Sequence, residues 1–445
     1  METDRRAFLS ATGSAFAALL ASGCMARGAT LSAESPLRTS YGPLVPDPAG
    51  ILDLPPGFSY HVLSSLGDAM GDGATVPDKA DGMGCFDLGN GEIALVRNHE
   101  LIPTDDTGGP IAHGFGTRNG EIVPGGTTNI VLDAQTLAIK RQFRSLGGTI
   151  RNCSGGITPW GSWLTCEEAP TGPGQRYGDG LAVNHGWVFE VPAAANGLVK
   201  AVPLRAMGRF NHEAAAVDPG TGIVYMTEDR DDGLLYRFLP RVPGDLKQGG
   251  RLQALVIDGV ADSRNWQTSN VPVGKAMTVR WIDLDNVESP EDDLRKRGSA
   301  KGATLFARGE GIHMGLRSKS ESELYFCCTS GGAAELGQIF RLTPGRDAAD
   351  MLELFFESAS PDQFNYGDNL TVAPNGDLIV CEDQYTDVVD NHLRLITPDG
   401  SAYPLGRLRM QTELAGACFS PDGKVLFVNA YSPTKTFAIS GPWQA

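Results

Sequence analysis

The feature that most constrains this chain is a segment that recurs along it: a Pro, Gly or Asx turn, a short β-branched or aromatic run, then acidic or amide residues. It runs from Gly91 to Glu100, Pro159 to Glu168, Asp218 to Asp229, Glu323 to Ser330, Ala373 to Asp383 and Ser420 to Asn429, six copies in all. A turn-strand unit of this kind cannot bury its apolar face alone and has to pack against its neighbours. The copies end at residues 100, 168, 229, 330, 383 and 429, a spacing that suits four-stranded blades of roughly 40–50 residues with loop insertions in the longer intervals. No helical 3.6-residue period is sustained anywhere. The pattern therefore predicts an all-β fold, a six-bladed β-propeller.

Composition agrees with a turn-rich chain, since 56 Gly and 28 Pro supply the punctuation such a fold needs. Lys and Arg number 37 against 53 Asp and Glu, a net charge of −16. A bare surface of that sign repels nucleic acid, phosphate and anionic lipid, so no nucleic-acid partner is expected and an anionic substrate requires bound cations. The longest interval, between Asp229 and Glu323, contains the charged run Ser289 to Arg297, read as a solvated excursion or short helix. Two Gly/Asp-rich stretches, Gly67–Gly73 and Asp78–Gly84, read first as turns and second as calcium loops, without EF-hand spacing.

Residues 1–30 read as a twin-arginine signal peptide: Arg5-Arg6 precede an apolar, small-residue run from Ala11 to Gly23, too short to span a bilayer. Leu20-Ala21-Ser22-Gly23-Cys24 is similar to a lipobox, which makes Cys24 a candidate lipid anchor. The expectation is export by the twin-arginine machinery to the periplasm or outside the cell, with residues 31–445 as one domain. Of the other cysteines, Cys166, Cys328, Cys381 and Cys418 lie in apolar runs and read as small buried hydrophobes. Adjacent Cys327 and Cys328 should point to opposite faces of a strand.

In a propeller, equivalent positions of successive blades converge on a central channel. The sets Asn98-His99-Glu100, Glu167-Glu168, Asn211-His212-Glu213, Glu228-Asp229, Asp368-Asn369 and Glu382-Asp383 would then crowd one volume. Carboxylates so placed either take up protons or bind hard cations, and the recurrence favours a metal-binding funnel.

One segment goes further: Arg151-Asn152-Cys153-Ser154-Gly155-Gly156-Ile157-Thr158-Pro159-Trp160-Gly161-Ser162-Trp163-Leu164-Thr165-Cys166-Glu167-Glu168. With Gly208 to Glu213, Arg308 to Gly311, Gly367 to Leu370 and Cys381 to Asp383, it closely resembles the PhoX-type alkaline phosphatases from about residue 40 onward. The resemblance implies a six-bladed propeller that binds ferric iron and calcium and hydrolyses phosphate monoesters with a metal-activated oxide or hydroxide. It makes Cys153 the thiolate on iron and Glu168, Glu213, Asp229, Glu310, Asp368 and Glu382 metal-coordinating carboxylates. It assigns Arg308 the phosphoryl oxygens, a task suited to a planar guanidinium. Asn98, Glu100, His99 and Asn369 transfer to calcium coordination or its surroundings. The family's arginine motif more often reads Arg-Pro-Glu, and Gly309 here frees that backbone.

Two other readings predict different behaviour: a non-catalytic, metal-stabilised propeller that binds a ligand or protein, and a calcium-dependent lactone or ester hydrolase. A calcium lactonase has no use for the Cys153 thiolate. His313, just after the arginine motif, is a further candidate for approaching the site.

Overall fold

The computed structural model describes residues 41–443, apart from 319–320, 346–347 and 385. Residues 1–30, expected to be a signal peptide, and Cys24 within them lie outside the described residues. Consecutive strands pair antiparallel through short turns almost throughout, as the turn-strand rhythm predicts. The first hairpin shows the local cause. Asn90 and Gly91, at φ 53° and 75°, join Ala80–Gly89 to Glu92–His99 with the two left-handed residues that a type I′ turn requires.

One sheet contains Ala80–Gly89, Glu92–His99, Gly125–Asp133 and Ile139–Thr149, and the next Asn152–Ile157, Ser162–Glu167 and Val188–Pro192. Two further meanders share a nine-stranded sheet. The first begins at His212–Val217 and the second at Gly309–Ser318, and strand Ala276–Asp283 joins their outer edges. Gly367–Val372 begins another sheet, whose far edge takes up Leu52–Asp53. The last sheet begins at Leu414–Phe419 and is completed by the early strand Ser59–Ser65, paired with Lys435–Ser440. Pairing this early strand with the last one latches a propeller-like arrangement.

The first strands of these meanders neighbour one another in a closed circuit: Ala80–Gly89, Asn152–Ile157, His212–Val217, Gly309–Ser318, Gly367–Val372, Leu414–Phe419 and back to the start. Their backbones come closer than side chains allow. A Cβ on Gly156 would lie 1.8 Å from the Ala215 carbonyl oxygen.

Apolar residues fill the spaces between sheets, with Phe306, Phe326 and Phe340 packed ring to ring in one cluster. Cys328 belongs to that cluster and Cys327 to the one around Phe364, so the adjacent cysteines do face opposite sides. Cys166, Cys381 and Cys418 are also buried in apolar clusters. The charged run after Ser289 takes the second of the two forms expected for it, a short helix. It leads into the helix Leu294–Ala300, and the nearly buried Arg295 reaches Asp232 and Asp292.

Candidate metal centre

Each first strand carries the same irregularity near its start, where two of its residues oppose one residue of the next strand. Asp81 and Gly82 face Asn98, Cys153 and Ser154 face Cys166, and Glu213 and Ala214 face Thr227. Glu310 and Gly311 face Cys327, Asp368 and Asn369 face Cys381, and Gly416 and Ala417 face Val428. A bulge re-aims the side chain it carries. Five of the six bulges begin with an acid or thiol, namely Asp81, Cys153, Glu213, Glu310 and Asp368, and only Gly416 lacks a ligating group.

These side chains meet others in four overlapping groups whose ligand atoms lie within 4.8 Å of one another: Asp81, Glu100 and Cys153; Cys153, Glu168 and Glu213; Glu213, Glu310 and Asp368; Asp368, Asp383 and Glu413. Shared members link the groups into one seam. All members are buried except Asp383 and Glu413, which are half-buried. Both oxygens of Glu213 and Oδ1 of Asp81 are enclosed without a hydrogen-bond partner. Burial raises the pKa of Glu213 well above the usual carboxylate range, and Glu310 and Glu168 add repulsion. Asp81, Glu310, Asp368 and Glu413 are shifted upward for the same reasons, burial first and neighbouring carboxylates second. Burial and Asp81 likewise raise the Cys153 thiol, which donates to Asp81 Oδ2 at 3.5 Å. Orphaned oxygens among like charges cost several kcal/mol unless protons or cations compensate them. Oxygen-rich groups suit hard cations, and the groups that add a thiol suit a transition metal. The residues present fit a centre of several metal ions.

Two arginines border the seam from matching positions. Arg151 and Arg308 stand immediately before their first strands with φ of 48° and 53°. Such left-handed non-glycine residues cost of order 1–3 kcal/mol and gather at functional sites. Arg151 bridges Glu100 and Glu168, donating from Nε to Glu100 at 2.7 Å and from Nη2 to Glu168 at 2.5 Å. Burial opposes its charge, but these carboxylates outweigh it and hold the guanidinium protonated. Arg308 donates from Nε and Nη2 to the two oxygens of Asp229, at 2.7 and 3.0 Å, and from Nη2 to Glu310 at 2.9 Å.

Of the residues expected from the sequence, the fold brings together Cys153, Glu168, Glu213, Glu310, Asp368 and Glu100, with Arg308 beside them. Asp229 and Glu382 stand outside these groups. Asp229 is turned to Arg308. The Asn98 amide is spent on structure: Nδ2 donates to the carbonyls of Cys153 and Ser154, and Oδ1 accepts from Trp163 Nε1. Glu382 accepts from Arg394 Nε at 2.6 Å and from the backbone N–H groups of Asn365 and His392. His99 is held by the Asp78 carbonyl and Thr128 Oγ1. Asn369 donates to Asp368 and accepts from the Gly416 N–H. Glu413 has no place in the sequence reading; Asp383 stood there only in the converging acidic set and Asp81 only in a Gly/Asp-rich stretch, neither singled out as a ligand. Asp81 lies in a stretch considered for calcium, whereas Asp72 and Asp78 only tether backbone and hydroxyl groups.

Fold and site together define an all-β, propeller-like protein whose centre is built to hold metal ions. Residues 39–139 and 126–434 match the family model for alkaline phosphatase PhoX, and the chain belongs to that family. It is thus a phosphatase, and its reaction is the hydrolysis of phosphate monoesters. No curated protein matches it. Among solved structures it is similar to Pseudomonas fluorescens PhoX in complex with vanadate, a transition state analogue. That protein is 20% identical with a TM-score of 0.69 over 88% of this chain and 96% of that one. A gluconolactonase from Xanthomonas campestris is 14% identical, with a TM-score of 0.42 over 91% and 99% of the two chains.

Proposed function

We propose that this chain hydrolyses phosphate monoesters at a centre of ferric and calcium ions held by Asp81, Glu100, Cys153, Glu168, Glu213, Glu310, Asp368, Asp383 and Glu413. The observation that carries the reading is Glu213, whose two oxygens are buried without a partner among other carboxylates. The thiol favours iron in the groups that contain Cys153, and the all-oxygen groups that run toward Glu413 suit calcium. When bound, the metals supply positive charge for the ester dianion and lower the pKa of an attacking water.

The chain's own residues do the positioning. Arg308 presents its guanidinium to the phosphoryl oxygens, with Asp229 as the carboxylate that fixes its plane. Arg151 balances part of the charge of Glu100 and Glu168 and holds those two side chains in place. Glu382 and Asn98 keep the surrounding backbone in register. The six matching bulges and the closed circuit of first strands support a count of six blades. The paired arginines and apolar run of the signal segment support twin-arginine export to the periplasm, with Cys24 as a lipid anchor.

The test is turnover of p-nitrophenyl phosphate by metal-replete protein. Arg308→Ala and Cys153→Ala should each lower kcat/KM by about a hundredfold or more, the scale of losing a charged transition-state donor or a metal ligand. Unchanged turnover in both variants, or none in the metal-replete wild type, rejects the proposal. A calcium lactonase or a binding-only propeller predicts no phosphatase activity to lose.

A further inference from the structure

Beyond the bulges, the first strands border a second space, partly open to solvent, on the far side of the bulges from the metal groups. It is a cavity of about 560 Å³ lined by Phe86, Ile157, Trp163, Ile312, Met314 and Phe419, among others. That volume falls in the range of sites for small organic molecules, roughly 300–1,000 Å³. No carboxylate of the metal groups lines it. Asn369 forms part of the partition: its amide donates to Asp368 on one side and accepts from the Gly416 N–H on the other. The Trp163 indole is fixed by its bond to Asn98, so the wall is preformed.

The lining is mainly apolar but also includes Asp87, Ser154, Thr158, Asn369 and Thr371, together with the imidazole of His313. The His313 Nδ1 is enclosed and has no hydrogen-bond partner. Burial pushes its pKa down to about 4, so the ring is neutral near pH 7, and with the proton on Nε2 the orphaned Nδ1 is an acceptor. We propose that the cavity is a binding site for an uncharged, mainly aromatic or alkyl molecule whose single N–H or O–H group donates to His313 Nδ1. This site is separate from the phosphatase centre, and its occupancy does not require the metals.

N-phenyl-1-naphthylamine is a suitable probe, being uncharged and apolar with one N–H, and it brightens in apolar surroundings. Titrated into the full chain, it should saturate at one site per molecule. Met314→Trp, which fills the cavity, should abolish the signal. His313→Phe, which keeps a ring and removes the acceptor, should weaken binding about tenfold, the scale of one lost hydrogen bond. Circular dichroism and thermal melting establish that each variant is folded, and either variant alone decides the matter if the other is not. No saturable signal in the wild type, or affinity unchanged in a folded variant, overturns the proposal. Phosphatase activity is not read, so the outcome is independent of the metal centre.

Discussion

Neighbouring side chains on a strand point to opposite faces, and at the ends of the second strands this separates two kinds of acid. Glu167, Glu228 and Glu382 turn away from the centre and bind surrounding groups: His185 and three backbone N–H groups, Tyr236, and Arg394. The residues that follow them, Glu168, Asp229 and Asp383, turn to the metal groups or to Arg308. Glu382→Gln should therefore destabilise the protein by about 3–5 kcal/mol, because it removes the charge that balances the buried Arg394, while kcat/KM of the folded fraction stays within a few-fold. Asp383→Asn should do the reverse, with melting nearly unchanged and activity and calcium content reduced. Urea unfolding beside p-nitrophenyl phosphate kinetics distinguishes the two. The alternation was legible in the sequence: Glu168 and Asp229 are the second acids of their pairs, and the same parity selects Asp383 over Glu382. The Glu382 expectation followed the motif match and broke that parity.

The strand is the unit that builds the site, and the bulge is what makes it one. A regular first strand would carry Asp81, Glu213, Glu310 and Asp368 past the centre in plain alternation. The extra residue turns them inward, and glycines let adjacent first strands close around them. Gly156→Ala would place a methyl group 1.8 Å from the Ala215 carbonyl oxygen, so the two strands must separate. A loss of about 3 kcal/mol or more and weaker metal retention are expected, measured by denaturant unfolding and metal analysis. The all-β class was readable because turns and β-branched runs are local signals. Bulges were not, since register depends on the partner strand. A faint trace exists in hindsight: an acid or thiol followed by a small or amide residue at Asp81-Gly82, Cys153-Ser154, Glu213-Ala214, Glu310-Gly311 and Asp368-Asn369. Glu413 leaves no such trace, because Gly416 occupies the bulge of its strand.

At the scale of the whole molecule, a net charge of −16 suggests a poor host for phosphate, and the seam reverses that locally once cations fill it. Without metal, the folded protein must keep protons on Asp81, Glu213, Glu310, Asp368 and Glu413, whose pKa values are raised by burial and mutual repulsion. The unfolded chain releases those protons near pH 4, so the native state binds more protons above that pH and stability falls as pH rises. Chelated protein should accordingly melt at progressively lower temperature from about pH 5 to pH 8, and Glu213→Gln should flatten the slope. Protein with its metals in place should show no such decline. A chelated wild type that grows more stable over this range would contradict the charge balance described for the seam.

The most direct test of the account is the metal content of active, purified protein measured by inductively coupled plasma spectrometry. The account predicts iron and calcium together in every active preparation, with both reduced in Glu213→Gln and iron lost selectively in Cys153→Ala. Full phosphatase activity in protein that carries neither metal, or a content unaffected by both substitutions, would contradict it.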